Sequence, residues 1–117
     1  MRAVLNTEDE IDRDKEHFWV FQLDARNRIK ALELVSLGTL TRSLVHPREV
    51  FTRAVLNRCN AILIAHNHPS GASEPSDEDI EITKRLIEAG DILDISLLDH
   101  VIIAGDGFVS MKQEGFI

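Results

Sequence analysis

Two histidines and one aspartate have side chains and spacings that could bind a metal ion. His66 and His68 are separated by a single residue and directly follow the apolar run at 60–65. Side chains two residues apart in extended backbone point to the same side, so both imidazoles could converge on one ion. A catalytic zinc site uses about three protein ligands and keeps one position for water. Asp79 is the candidate for the third ligand.

The surroundings of Asp79 are also typical of an ordinary helix start. Ser76 is a favourable N-cap residue, and Asp79 would lie at the third helical position, where its carboxylate can bond back to the Ser76 amide. The loop that follows His68 must return to this end of the helix. Asp79 is therefore either a capping residue alone or a ligand that faces the imidazoles, and the local sequence leaves both interpretations open.

The complete pattern resembles a known motif. Seven residues separate His68 from Ser76, and two more separate Ser76 from Asp79. This spacing resembles the JAMM motif of the JAB/MPN metalloproteases. The resemblance implies that His66, His68 and Asp79 bind zinc, and that Ser76 helps to position a water or to stabilise an oxyanion. It further implies a zinc-dependent metallopeptidase or isopeptidase acting on a peptide or isopeptide substrate, whose identity the sequence does not define.

Three other segments point to a smaller group of proteins within this family. The stretches HPREVF at 46–51, LLDH at 97–100 and DGFVS at 106–110 are similar to bacterial RadC proteins. The resemblance covers nearly the whole chain and implies a single JAMM/MPN domain over 1–117. Its expected fold class is α/β, with helices packed on a mixed β-sheet, as in cytidine-deaminase-like domains. A helix-hairpin-helix region usually precedes this domain in RadC proteins and is absent here, so we expect the C-terminal domain alone.

A metallopeptidase of this kind also needs a general base, which takes a proton from water and passes it to the leaving amine. The family uses a glutamate placed before the first strand of the fold. Glu16 stands immediately before the strand predicted at 17–23 and is our prediction for this base. Glu49 and Glu33 are the alternatives, although Glu49 could simply stabilise the dipole of its helix. The Glu-x-x-Gly context of the family is absent, because residue 19 is Trp19.

The elements that would position these residues follow a β-β-α-β-α-β-β order. Alternation and turn residues indicate an initial hairpin, and a proline at the first helical position indicates a later helix. A short continuous apolar run is typical of a strand buried on both faces. We predict strands at 17–23, 28–37, 60–65, over two apolar runs at 94–98 and 100–104, and at 108–111, with helices at 47–59 and from Ser76 to a terminal Gly90.

Four further residues carry specific expectations. Asn67 should point away from the ligands, because it alternates with them along the strand. Gly71 should adopt a positive φ in the loop. Asp99 and His100 are either a pair that orients a metal ligand or a structural pair.

Composition limits the class of protein. The 117 residues suffice for one compact domain, in which 1–15 are either the remnant of a preceding helix, with a short helix at 8–15, or a frayed terminus. Cys59 is the only cysteine, which excludes an internal disulfide and suits a reducing cytoplasm. No apolar run is long enough for a membrane span. The sequence is compatible with either a monomer or a homodimer.

Charge bears on the choice of partner. The net charge of −7 argues against strong nucleic-acid binding by this domain alone. The alternative to an enzyme is a non-catalytic, zinc-containing domain that binds a partner in DNA repair or recombination. The tripeptide HNH at 66–68 also occurs in nucleases, but nothing around it has nuclease character.

Overall fold

A computed structural model describes residues 16–38, 45–69, 71–105 and 107–117. In these ranges the elements follow the predicted order β-β-α-β-α-β-β. The helix predicted at 8–15 lies outside the described residues. The strands are β1 (Glu16–Leu23), β2 (Ile29–Gly38), β3 (Ala61–Asn67), β4 (Ser96–Ala104) and β5 (Gly107–Ser110), and the helices are α1 (Pro47–Leu56) and α2 (Asp77–Leu93).

The strands form one mixed sheet in the order β2-β1-β3-β4-β5. Three of the strand pairs are antiparallel, and β3 and β4 run parallel. Parallel neighbours need a crossover connection, which α2 provides here. This architecture confirms the predicted fold class. Because β3 and β4 are parallel, their carboxyl ends lie at the same edge of the sheet.

The strand β1 is buried on both faces of the sheet, which explains why it reads as an almost uninterrupted apolar run. Phe18 and Val20 of β1 pack on one face together with α1 and α2, whereas Trp19 and Phe21 belong to a second cluster on the other face. All residues of β1 after Glu16 are buried. No helix in the described part of the chain is long and apolar enough to cross a membrane.

Some predicted bounds were wrong. α1 ends at Leu56 rather than at residue 59, because Arg58 adopts a left-handed φ of 54°. β3 extends to Asn67, so His66 belongs to the strand itself. The runs at 94–98 and 100–104 form the single strand β4, which begins at Ser96.

The predicted end of α2 at Gly90 was also wrong. The helix continues to Leu93, and Asp94 adopts the left-handed conformation that ends it. Gly90 has a packing role instead. A Cβ atom at this position would lie 2.3 Å from the carbonyl oxygen of Ile95 and 3.3 Å from Cζ of Phe51. The absence of a side chain therefore lets the backbone after α2 turn back against the helix.

Replacing Gly90 by alanine should destabilise the protein, although alanine is the better helix former. We expect the free energy of unfolding in urea to fall by ~1–3 kcal/mol, because the new methyl group meets backbone that cannot move aside easily. Glu88→Ala on the exposed side of α2 is the control and should leave stability nearly unchanged. A Gly90→Ala variant more stable than the parent would contradict this explanation.

Candidate metal centre

Three side chains converge at one end of the sheet. His66 lies near the end of β3, His68 follows this strand, and Asp79 lies in the first turn of α2. The Nε2 atoms of the two histidines are 2.8 Å apart. Asp79 Oδ1 lies 3.3 Å from Nε2 of His66, and Asp79 Oδ2 lies 3.2 Å from Nε2 of His68. The structure therefore brings together the three residues that the sequence identified as ligands.

Backbone contacts direct the chain from β3 to α2. The His68 amide donates to the carbonyl oxygen of Ile103 at 2.8 Å, which ties the loop to β4. The Gly71 amide then donates to the His68 carbonyl at 3.0 Å. Gly71 has a φ of +86°, as the sequence predicted, in a region that glycine adopts without strain. The loop consequently returns to the sheet edge where the imidazoles lie.

The structure shows the capping role of Asp79, and its geometry is compatible with a ligand role as well. The Asp79 amide donates to Ser76 Oγ at 3.1 Å, and the Ser76 amide donates to Asp79 Oδ2 at 2.8 Å. These two bonds form a capping box, which fixes the carboxylate. The same carboxylate faces both imidazoles. One side chain thus starts α2 and completes the group of donor atoms.

The outer nitrogen of each histidine has its own partner. His68 Nδ1 lies 2.6 Å from the carbonyl oxygen of Ala72. A carbonyl can only accept, so Nδ1 carries a proton, and in the neutral ring Nε2 then keeps its lone pair for an ion. His66 Nδ1 lies 2.6 Å from Nε2 of His100, and Nδ1 of His100 lies 2.5 Å from Oγ1 of Thr83. Sequence analysis had singled out His100 but missed Thr83.

The His100 amide donates to Asp99 Oδ1 at 2.7 Å, but the side chains of Asp99 and His100, considered above as one pair, have different partners. His100 contacts His66, as described. The Asp99 carboxylate instead accepts hydrogen bonds from the Ser110 hydroxyl and from the Lys112 amide, the latter at 3.0 Å. Asp99 therefore holds the turn after β5. Asn67 points away from the ligands, as predicted, and accepts from the His17 amide at 2.5 Å.

The electrostatics of the group favour an ionised carboxylate. Burial alone would raise the pKa of Asp79, but hydrogen bonds with His66 and His68 outweigh it and bring the pKa below its usual range. The hydrogen bond to Asp79 raises the pKa of His68, against the effect of burial, and the charge of Glu16 contributes to that rise. Burial lowers the pKa of His100 well below its usual value, so this ring is neutral.

The three candidate glutamates occupy different surroundings. The register of β1 and β3 ends at the pair Phe18–His66, and Glu16 lies two residues beyond it at the start of β1, where its charge acts on His68. Glu33 instead forms an ion pair with Arg53 at 3.3 Å. Glu49 is exposed in the first turn of α1. Register and charge thus associate Glu16, and neither alternative, with the imidazoles.

The donor set fits a transition-metal ion. Donor atoms from His66, His68 and Asp79 all lie within 4.8 Å of one another. Two imidazole nitrogens and a carboxylate oxygen suit zinc and related ions, whereas calcium and magnesium favour sites made only of oxygen. Because the outer nitrogens are already hydrogen-bonded, both Nε2 atoms are oriented for coordination.

Comparisons with known proteins agree with this arrangement. Residues 1–116 match the profile of the RadC-like JAB domain. A UPF0758 protein of Desulforudis audaxviator is 52% identical over 102 residues, which are 87% of this chain and 44% of that protein. A UPF0758 protein of Desulforamulus reducens is 49% identical over 110 residues, 94% of this chain and 48% of the relative.

A third UPF0758 protein, from the archaeon Methanococcoides burtonii, is 48% identical over 103 residues, 88% of this chain and 45% of that protein. The chain spans about half the length of these curated relatives. Family profile, fold and the His-His-Asp group lead to the same assignment: the chain belongs to the RadC family and carries its JAB domain.

Proposed function

We propose that this domain is a zinc-dependent metallopeptidase or isopeptidase that hydrolyses an amide bond. The observation that supports it most is the convergence of His66, His68 and Asp79. Zinc held by these ligands would polarise the scissile carbonyl and lower the pKa of a bound water to ~7. Membership of the RadC family, whose domain is JAB-like, supports the same reaction.

Glu16 is the proposed general base. This partly buried residue at the start of β1, whose charge acts on His68, can accept a proton from the attacking water. It can then return this proton to the nitrogen of the leaving amine, so that the amine departs uncharged. Neither Glu33, paired with Arg53, nor the exposed Glu49 has a comparable position.

Ser76 is proposed to stabilise the negative charge that develops on the substrate oxygen. Its Oγ accepts from the Asp79 amide, so its own O–H stays available as a donor. The side chain is exposed at the N-terminus of α2, where the helix dipole also favours negative charge. The same hydroxyl thus caps the helix and can donate to an oxyanion.

The test is a library of peptides and isopeptides incubated with the zinc-loaded protein. Cleavage that stops when a chelator removes the metal would support the proposal. Stoichiometric zinc without cleavage of any amide would instead favour the alternative, a non-catalytic domain that binds a partner in DNA repair or recombination.

The single, buried Cys59 fits the reducing cytoplasm in which we propose that the protein works.

Nucleic acid should bind weakly. At physiological salt we expect a dissociation constant for duplex DNA of ~10⁻⁴ M or weaker, typical of non-specific binding at best. The reasons are the net charge of −7 and the lack of any Lys/Arg run longer than the pair Lys84–Arg85. Fluorescence anisotropy checks this. Submicromolar affinity with a steep salt dependence would contradict the expectation and favour a direct role on DNA.

A further inference from the structure

A buried chain of hydrogen bonds links His66 back to the helix that carries Asp79. His66 Nδ1 contacts His100 Nε2 at 2.6 Å, and His100 Nδ1 contacts Thr83 Oγ1 at 2.5 Å. The Thr83 hydroxyl lies 2.6 Å from the backbone carbonyl oxygen of Asp79. His66, His100 and Thr83 are all 0% exposed, so the hydrogen bonds between them are shielded from solvent.

The hydrogen bonds of this chain can run in two directions, which differ in which atoms carry the protons. In the first, His66 Nδ1–H donates to His100 Nε2, His100 Nδ1–H donates to Thr83 Oγ1, and the Thr83 hydroxyl donates to the Asp79 carbonyl. In the second, Thr83 donates to His100 Nδ1, and His100 Nε2–H donates to His66 Nδ1. A neutral imidazole has one protonated nitrogen, so the second direction places the His66 proton on Nε2.

Only the first direction is compatible with a metal ion, because a coordinating Nε2 must carry no proton. This first direction needs a group next to His100 that accepts a hydrogen bond from His100 Nδ1–H and donates a hydrogen bond to a further acceptor. A hydroxyl does both, and the Asp79 carbonyl, four residues earlier in α2, accepts the last hydrogen. A valine of the same shape as Thr83 would leave His100 Nδ1–H without an acceptor in a dry core.

We propose that His100 and Thr83 are positioning residues that hold His66 in the tautomer and orientation in which Nε2 binds the metal. The inference rests on the metal-binding part of the proposed function and is independent of amide hydrolysis. Hydrogen-bond partners of metal-binding histidines typically change metal affinity 10–100-fold when they are lost.

The experiment measures zinc affinity by competition with a chromophoric chelator, and records the ligand-field spectrum of the cobalt(II)-substituted protein. Thr83→Val should weaken zinc binding ~10-fold or more and shift the cobalt spectrum, whereas Thr83→Ser, which keeps the hydroxyl, should resemble the parent. Thr52→Val is a matched control, because the Thr52 hydroxyl also donates to the carbonyl four residues earlier, that of Arg48, but in α1.

A second pair of variants tests His100. His100→Phe removes the acceptor for His66 Nδ1–H and should weaken zinc binding by ~100-fold at most. His100→Gln offers a carbonyl oxygen in its place and should recover part of the affinity. Thermal unfolding of the zinc-free proteins separates a loss of stability from a loss of affinity. If His100→Phe does not fold, the zinc affinity of the nearly isosteric Thr83→Val variant still tests the positioning role.

The outcomes separate the two ideas. If the parent binds zinc and both Thr83→Val and His100→Phe bind it equally tightly with an unchanged cobalt spectrum, the positioning role is wrong and the metal site stands. If the parent takes up no zinc, the proposed function and this inference both fail. Weakened binding in Thr83→Val, with recovery in Thr83→Ser, supports the role of the hydroxyl.

Discussion

Glu16→Gln should retain zinc and the fold while amide hydrolysis falls by ~10²–10⁴. Glutamine preserves the size of the side chain and can still accept a hydrogen bond from water, but it cannot take up a proton. The expected loss is therefore in turnover rather than in substrate binding. The measurement is kcat and KM for a peptide or isopeptide that the parent cleaves, together with the zinc content of both proteins.

Glu49→Gln provides the matched control. Its carboxylate is exposed in the first turn of α1, so its removal should change the rate no more than a few-fold. Undiminished turnover in Glu16→Gln, combined with an inactive Glu49→Gln, would show that the base comes from α1. Our assignment from chain order and strand register would then be wrong.

Loss of any one ligand should abolish stoichiometric zinc. His66→Ala, His68→Ala and Asp79→Ala are each expected to fold and to lose the metal on dialysis, because two remaining donors hold zinc too weakly. The hydrophobic clusters on both faces of the sheet exist without these side chains, which is why the fold should survive. Metal analysis and circular dichroism provide the two measurements.

Ser76→Ala is the control for Asp79→Ala. Both substitutions break the capping box of α2 and should lower stability by ~1 kcal/mol, but only the second removes a ligand. Full zinc occupancy in Asp79→Ala would refute the three-ligand assignment. Unfolding of all three ligand variants would instead indicate that the metal serves the structure rather than a reaction.

Local geometry predicted that the three candidate ligands could converge, whereas the resemblance to the JAMM motif was needed to choose a ligand role for Asp79 over capping alone. Strand alternation directs His66 and His68 to the same side, and a helix cap places Asp79 at the start of α2. All three lie within the segment that runs from β3 to the first turn of α2. The order of strands and helices follows equally from local periodicity and turn residues, which is why it was predicted correctly.

Contacts between residues far apart in the chain could not be predicted from the sequence. His100 reaches His66 because β3 and β4 are parallel neighbours, and Thr83 joins them because α2 packs over this pair. One signal for Thr83 existed: it lies one helical turn after Asp79, on the same face. The end of α2 was wrongly predicted at Gly90 because glycine is common directly after helices. The structure shows that Gly90 is needed for another reason, since a side chain there would collide with the carbonyl oxygen of Ile95.

The central position of β3 has a consequence for how a bound ion would leave. Its backbone is paired with β1 on one side and with β4 on the other, so its amides should exchange with deuterium only when the whole sheet opens. His66 therefore rests on the most slowly opening part of the molecule. His68 lies beyond the strand, where its amide donates to Ile103, its carbonyl accepts from Gly71 and its Nδ1 donates to Ala72. We therefore expect metal exchange to proceed through displacement of His68, because fewer backbone hydrogen bonds must break for this than for opening β3.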